Sequence, residues 1–304
     1  MDIETLRLFV DLSGTHSFSK TAERNFMSQS AVSQRIRTLE QEYGQVLVER
    51  GKGRPGAQFT EAGLRLLDGA REILGRADAL KRELAEMSGV VGGTLRVATV
   101  YSIGLHALTP RVTSFISQYP QVNLHLEYLR TDRIYDAVVG GAIDCGIVAC
   151  PRERAQIDVI PLECERMVLI VPPSHPLAAL ETVPVERLQG MPFVAFDADI
   201  PTSDLIDNLL RSHDVSVTVI HCFDNIETIK RVVEIGLGIA IVPEPTIHRE
   251  VRDGTLAARP LEGEALIRPT GILLRKGKIV SGALSRFLDV LGDPKTAPAP
   301  IATA

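Results

Sequence analysis

The chain has 304 residues, 45% hydrophobic and 23% charged, with a formal net charge of −5. That length exceeds one ordinary hydrophobic core, so two or three domains are expected, and the composition is that of ordinary globular protein. The acidic start Met1-Asp2-Ile3-Glu4 argues against a secretory leader, no stretch approaches an 18-residue apolar run, and the net charge argues against a nucleic-acid-coating protein. The cytoplasm is therefore the expected location, with no membrane partner.

The charge is unevenly spread. Residues 1–63 hold eight bases and eight acids, so the remainder carries the whole −5, while residues 20–54 hold seven bases against four acids. A small module with excess positive charge on an acidic chain suggests local contact with a polyanion. The four cysteines (Cys145, Cys150, Cys164, Cys222) are scattered, without a CxxC pair or nearby ligand cluster. They read as reduced thiols in or near the core. No metal and no cofactor is implied.

Residues 3–13 place Ile3, Leu6, Phe9, Val10 and Leu12 near one helical face, with Gly14 as a stop signal. Ser17 or Ser19 can cap a second helix through Arg24, and Asn25-Phe26-Met27 makes a turn. Ser28 can then cap a third helix to about Tyr43, where Val32, Ile36 and Leu39 face inward. The opposite face presents Ser30, Ser33, Gln34, Arg37 and Gln41, with Gln29 at its N-terminal edge. Amide and guanidinium forks match the paired donors and acceptors of base edges, and serines with a helix N-terminus suit phosphate. An ordinary solvated helix face has the same composition.

Leu6-Arg-Leu-Phe9, Ser17-Phe-Ser-Lys-Thr-Ala22, Ser28-Gln-Ser-Ala-Val-Ser33, Ile36-Arg-Thr-Leu-Glu40, Gly44, Arg50 and Phe59-Thr-Glu-Ala-Gly63 together resemble the DNA-binding domain of LysR-type transcriptional regulators. The resemblance implies an all-α winged helix-turn-helix over 1–59, with residues 28–42 as recognition helix and Arg50–Phe59 as wing. It implies double-stranded DNA as partner, with Gln29, Ser30, Ser33, Gln34 and Arg37 toward the groove and Arg50 and Lys52 toward backbone phosphate. The sequence departs from the family pattern at Ser30, often proline, and at Val48, usually phenylalanine. Its wing is about two residues longer than usual.

From Thr60, a natural N-cap, Leu66, Ala70, Ile73, Ala77, Leu80, Leu84 and Met87 recur at spacings of four and three. That heptad seam predicts a linker helix over 60–88, roughly 43 Å long, that pairs with a second copy. Burial against its own chain would give the same pattern. A homodimer would set two recognition helices on neighbouring half-sites. Gly69 and Gly75 require packing to support the helix.

After a flexible break at 88–93, strand candidates 94–100, 122–128, 143–149, 166–171, 192–196, 216–222, 238–242 and 270–275 alternate with helix candidates 104–118, 132–140, 203–213, 226–236 and 280–291. The alternation argues for an α/β domain of parallel sheets with helices on both faces. Gly93-Thr-Leu-Arg-Val97, Tyr119-Pro120, Gly141-Ala-Ile-Asp-Cys-Gly-Ile147, Ser174-His-Pro-Leu177 and Gly236-Leu-Gly-Ile-Ala-Ile-Val-Pro243 resemble the LysR effector-binding domain, a fold of periplasmic-binding-protein type. The resemblance implies two α/β subdomains within 91–292, one of 91–165 plus 270–292 and one of 166–269, with a cleft between them. It also implies a dimer or tetramer, with RNA polymerase a further candidate partner. Residues 293–304 read as a disordered tail.

In open α/β sheets ligands sit beyond the carboxyl ends of strands, where helix N-termini offer free N–H groups. Thr99, Tyr101 and Ser102 follow the first strand, Thr131 follows the second, and Phe196, Thr202 and Ser203 end a strand and open a helix opposite. The resemblance places them around the cleft, with Ser102 and Thr131 at positions that hold an effector carboxylate. A small anionic effector is therefore expected, with hydroxyl and backbone donors dominating because only Arg130 and Arg133 lie nearby. Each hydroxyl could instead cap its own helix. The rival readings are a thiol redox-sensing regulator, a solute-binding protein and an enzyme. The sequence lacks the Walker A, HExxH and dinucleotide fingerprints and the triad context of common enzymes, so no enzymatic activity is expected.

Overall fold

A computed structural model describes residues 2–50, 56–86, 91–263 and 265–293. The chain forms two compact units, Met1–Gly89 and Val90–Ala304. In the first, helices α1 (Ile3–Thr15), α2 (Phe18–Arg24) and α3 (Gln29–Tyr43) precede a hairpin of β1 (Val48–Arg50) and β2 (Ala57–Phe59), and helix α4 (Glu61–Glu86) follows. Ser17 and Ser28 cap α2 and α3, accepting from the Lys20 and Ala31 N–H groups. Gly14 does not stop α1: the helix runs on to His16, which takes the left-handed conformation (φ 48°) and donates its N–H to the Leu12 carbonyl.

Phe9, Leu12, Val32, Ile36 and Leu39 make the core of this unit, each at most 1% exposed. Burying such a side chain stabilises the fold by about 1.5–3 kcal/mol. Glu40 joins α3 to the hairpin by accepting the N–H groups of Leu47 (2.9 Å) and Val48 (3.1 Å). A Cβ on Gly63 would stand 2.1 Å from the Leu47 carbonyl oxygen, so the first turn of α4 packs backbone on backbone. Thr60 caps that turn, accepting the Gly63 N–H at 3.0 Å.

The apolar residues of α4 divide between two faces. Leu67, Ala70 and Leu74 are buried, the last two against Leu6 of α1, and Leu66 packs on the helical core. Ile73, Leu80 and Leu84 are exposed. Ala70 therefore leaves the expected pairing seam, because burial against α1 takes the α4 face that carries it. Met87 and Lys52 lie outside the described residues, as do 87–90 and the tail 294–304.

The second unit begins with β3 (Gly93–Thr99), a π-helical turn at Ile103–Ala107, α5 (Thr109–Gln118), β4 (Val122–Tyr128), α6 (Thr131–Val139), β5 (Cys145–Ala149) and the long β6 (Ile157–Val171). It continues with β7 (Pro192–Phe196), α7 (Pro201–Ser212), β8 (Thr218–Phe223), α8 (Ile226–Glu234), β9 (Ala240–Pro243), α9 (His248–Asp253) and β10 (Ala257–Arg259). Strand β11 (Ile267–Arg275) and helix α10 (Gly282–Gly292) close it. Strands β3, β4 and β5 pair in parallel, as do β7 and β8. The parallel pairing expected of the sheets does not extend to β6 and β11, which run antiparallel to each other. Strand β11 is also antiparallel to β5, and β6 to β9 and β10. Strand β6 passes between two cores: its first half pairs with β11 beside the core of β3 and β5, and its second half pairs with β9 and β10 in the core of β7 and β9.

Candidate functional site

On α3 the structure exposes Gln29, Ser30, Gln34, Arg37 and Gln41 and leaves Ser33 half-buried. Ser30 Oγ lies 2.9 Å from Ser28 Oγ. Gln29, Gln34 and Arg37 make no side-chain hydrogen bond to another described residue, so their forked groups face solvent unspent. Arg50 ends β1, paired with Ala57.

In the second unit a cavity of about 240 Å³ opens beyond the carboxyl ends of β3, β4, β7 and β8. Tyr101, Ser102, Thr131, Phe196 and Thr202 line it, among apolar neighbours that include Leu129, Ile200 and Ile226. Two expected residues do not. Thr99 is fully buried beneath the floor, its methyl pressed where a Cβ on Gly104 would stand. Ser203 is 7% exposed, and its hydroxyl donates back to the Phe196 carbonyl at 3.4 Å.

The helix openings also differ from expectation. Ser102 precedes the five-residue π-turn, and α5 starts only at Thr109. Helices α6 and α7 do open at the cavity, at Thr131 and Pro201, and their N-cap residues are Arg130 and Ile200, with no side-chain cap bond among the described residues. The hydroxyls of Thr131 and Thr202 are therefore not spent on capping. Helix α6 leaves its first N–H groups without an intrahelical partner, whereas α7 opens on Pro201, which has no N–H, and its Ser203 N–H donates to the Ile200 carbonyl at 2.8 Å; each end carries about half a positive charge.

Arg268 is the residue that sequence reasoning missed. It is 1% exposed and lines the cavity floor. Its Nη1 donates to Ser102 Oγ (3.1 Å) and Thr202 Oγ1 (3.4 Å), and its Nε to Glu165 Oε2 (2.8 Å). Arg268 thus adds a buried guanidinium to the hydroxyl groups that line the cavity. The strand candidates begin just after both partners, at 166 and 270, so neither charge is placed on a strand. Glu165 Oε1 is buried with no hydrogen-bond partner among the described residues.

At the mouth Arg130 meets three carboxylates: Asp199, Asp224 at 3.2 Å and Asp197 at 3.6 Å. Desolvation works against its charged form, but Asp199, Asp224 and Asp197 together outweigh it and push the pKa up. His106 Nε2 stands 2.8 Å from Glu227 Oε1, and Arg152 donates to Asp204 at 2.9 Å. Burial pushes the Cys145 thiol up to about 12 and the Cys150 thiol upward too, away from the thiolate form that redox chemistry uses. No metal-holding group of His, Cys, Asp and Glu occurs among the described residues. No described helix is long and apolar enough to cross a membrane.

Two family models match the chain, "Bacterial regulatory helix-turn-helix protein, lysR family" at residues 3–64 and "LysR substrate binding domain" at 88–294. A probable RuBisCO transcriptional regulator of Synechocystis sp. is 29% identical over 94% of this chain and 84% of its own. Full-length OxyR C199D from Pseudomonas aeruginosa superposes with a TM-score of 0.76 at 23% identity, covering 98% of this chain and 96% of that one. The Synechocystis PCC6803 CcmR regulatory domain in complex with 2-PG superposes at 0.60 with 25% identity, covering 66% of this chain and 96% of that one. The matches span both units, and the chain belongs to the LysR family of bacterial regulatory helix-turn-helix proteins.

Proposed function

We propose that the chain is a cytoplasmic, non-enzymatic transcriptional regulator that binds DNA through α3 and the wing and is controlled by a small effector held in the cavity of the second unit. Gln29, Ser30, Ser33, Gln34 and Arg37 face the groove, and Arg50 and Lys52 hold backbone phosphate. Residues 1–59 form the DNA-binding domain, 60–88 the linker that pairs two copies, and 91–292 the effector domain. The apolar residues Ile73, Leu80 and Leu84 left exposed on α4 support that pairing.

The observation that carries the effector reading is the convergence of Ser102, Thr131, Thr202 and Arg268 on one cavity. Hydroxyl donors, a buried guanidinium and two helix N-termini suit an anionic group of the effector. Ser102 and Thr131 stand on one side and Thr202 on the other, with Arg268 bonded to both sides through β11. An occupant gripping both sides would favour one arrangement of the two cores, and typical couplings of about 1–3 kcal/mol would carry that preference to the DNA-binding pair. The CcmR domain bound to 2-PG supports a small ligand in a domain of this kind.

Band-shift titration on promoter and random DNA tests the regulator reading. Selective loss of promoter binding on Gln29→Ala or Ser33→Ala supports it, and equal loss on both DNAs contradicts the base-reading role.

A further inference from the structure

The charges of the cavity are ordered by depth. At the floor Ser102 is 8% exposed, Thr202 1% and Arg268 1%. At the mouth the side chains of Asp199 and Asp224 are 70% and 46% exposed. The floor offers hydrogen-bond donors and the positive ends of α6 and α7. Its one guanidinium, Arg268, is neutralised by Glu165. The mouth is the reverse: among the described residues Arg130 is the cation there, shared among Asp197, Asp199 and Asp224. Asp132, in the first turn of α6, also lines the cavity.

One guanidinium neutralises one carboxylate, so this rim keeps a net negative charge whatever its pairing. A clasp between the two sides of the cavity would need one carboxylate, and the rest carry an uncompensated cost of like-charge repulsion. An effector with only negative charge would cross that rim unfavourably, and one with only positive charge would leave the floor donors unused. A ligand with charges of both signs matches both ends.

Resting on the effector reading above, we propose that the effector is a zwitterion, a small amino acid. Its carboxylate sits at the floor with Ser102, Thr131 and Thr202, and its ammonium meets Asp199 and Asp224 at the mouth. The apolar side walls Leu129, Phe196 and Ile226 cover the carbon chain. The cavity, about 240 Å³, has room for a small amino acid.

Titration calorimetry of the full chain tests this. The probes are the common L-amino acids and the ω-amino acids from β-alanine to 6-aminohexanoate, each beside the matching acid without its amine and the matching amine without its carboxylate. We expect one amino acid to bind at least about tenfold more tightly than both of its partners, the range of a charge-assisted hydrogen bond. Asp199→Asn with Asp224→Asn should erase its advantage over the amine-free acid, with folding checked by thermal unfolding. An amine-free acid that binds as tightly as its amino acid overturns the zwitterion and leaves the anion site standing. An amine that binds as tightly overturns the anion site itself. A panel with no binder overturns the proposed ligand class.

Discussion

Arg268 and Glu165 face each other across β11 and β6, directly paired in register, with side chains 1% and 2% exposed. They sit where the two crossover strands leave one core for the other. A buried pair of this kind is expensive to break from one side, because the remaining charge loses its partner.

Arg268→Leu should therefore destabilise the second unit by about 3–5 kcal/mol. Adding Glu165→Gln should recover part of that loss by removing the stranded charge. Urea denaturation of the single and double variants measures both. A double variant no more stable than Arg268→Leu would show that the hydroxyl contacts of Arg268, rather than its pairing, hold the floor.

For DNA, Gln29→Ala or Ser33→Ala should cost roughly 1–3 kcal/mol on the specific site and almost nothing on random sequence. Lys52→Ala should weaken all sequences alike and lower the slope of log K against log salt by about one. Band shifts at several salt concentrations separate the two behaviours. A sequence-selective effect from Lys52 would contradict its assignment to the backbone.

Assembly rests on the outer face of α4. Ile73→Glu with Leu80→Glu places two charges on the exposed stripe and leaves Leu67, Ala70 and Leu74 on α1 untouched. Light scattering should show the parent as a dimer or larger and the double variant at a lower mass. Unchanged mass and unchanged DNA affinity would mean that the copies meet elsewhere.

Glu227 gives a pH signature. Desolvation would raise its pKa, but hydrogen bonds from His106 and Lys230 bring it down from 4.5 to about 2. A depressed carboxylate pKa contributes stability that is fully present above about pH 4.5 and is lost as pH falls toward 2. Being half-exposed, Glu227 contributes about 1 kcal/mol or less. Glu227→Gln should be less stable than the parent at pH 7, with the gap narrowing below pH 4.5 in parallel urea titrations. A gap that stays constant down to pH 3 would assign the difference to packing.

Much of this architecture is legible in the sequence because periodicity reports burial. Val32, Ile36 and Leu39 announce the inward face of α3, and Ser28 announces its start. The strands of the second unit read well where they are continuous apolar runs, as at β5. The cavity hydroxyls Ser102, Thr131 and Thr202 follow from their places at strand ends. What escapes has a physical reason. The stripe on α4 has apolar residues on two adjoining faces, and spacing does not say that α1 takes Ala70. Arg268 and Glu165 are 103 residues apart, and only the antiparallel pairing of β6 with β11 makes them neighbours. The acidic mouth is likewise a product of folding, since Arg130, Asp199 and Asp224 come from three separate connections.

The effector site is tested most directly by calorimetry on the parent, Ser102→Ala and Thr131→Ala, each titrated with the compound that most raises the parent's unfolding temperature. The compound comes from a panel of organic acids, amino acids and inorganic anions. A ligand at 100 times its dissociation constant adds about 2.7 kcal/mol, enough to be found in such a screen. Ser102→Ala and Thr131→Ala should each weaken binding, by about 1–3 kcal/mol for a hydroxyl donating to a charged group, while basal DNA binding stays at the parent level. Equal affinity in the parent and both variants would contradict an effector held at this floor.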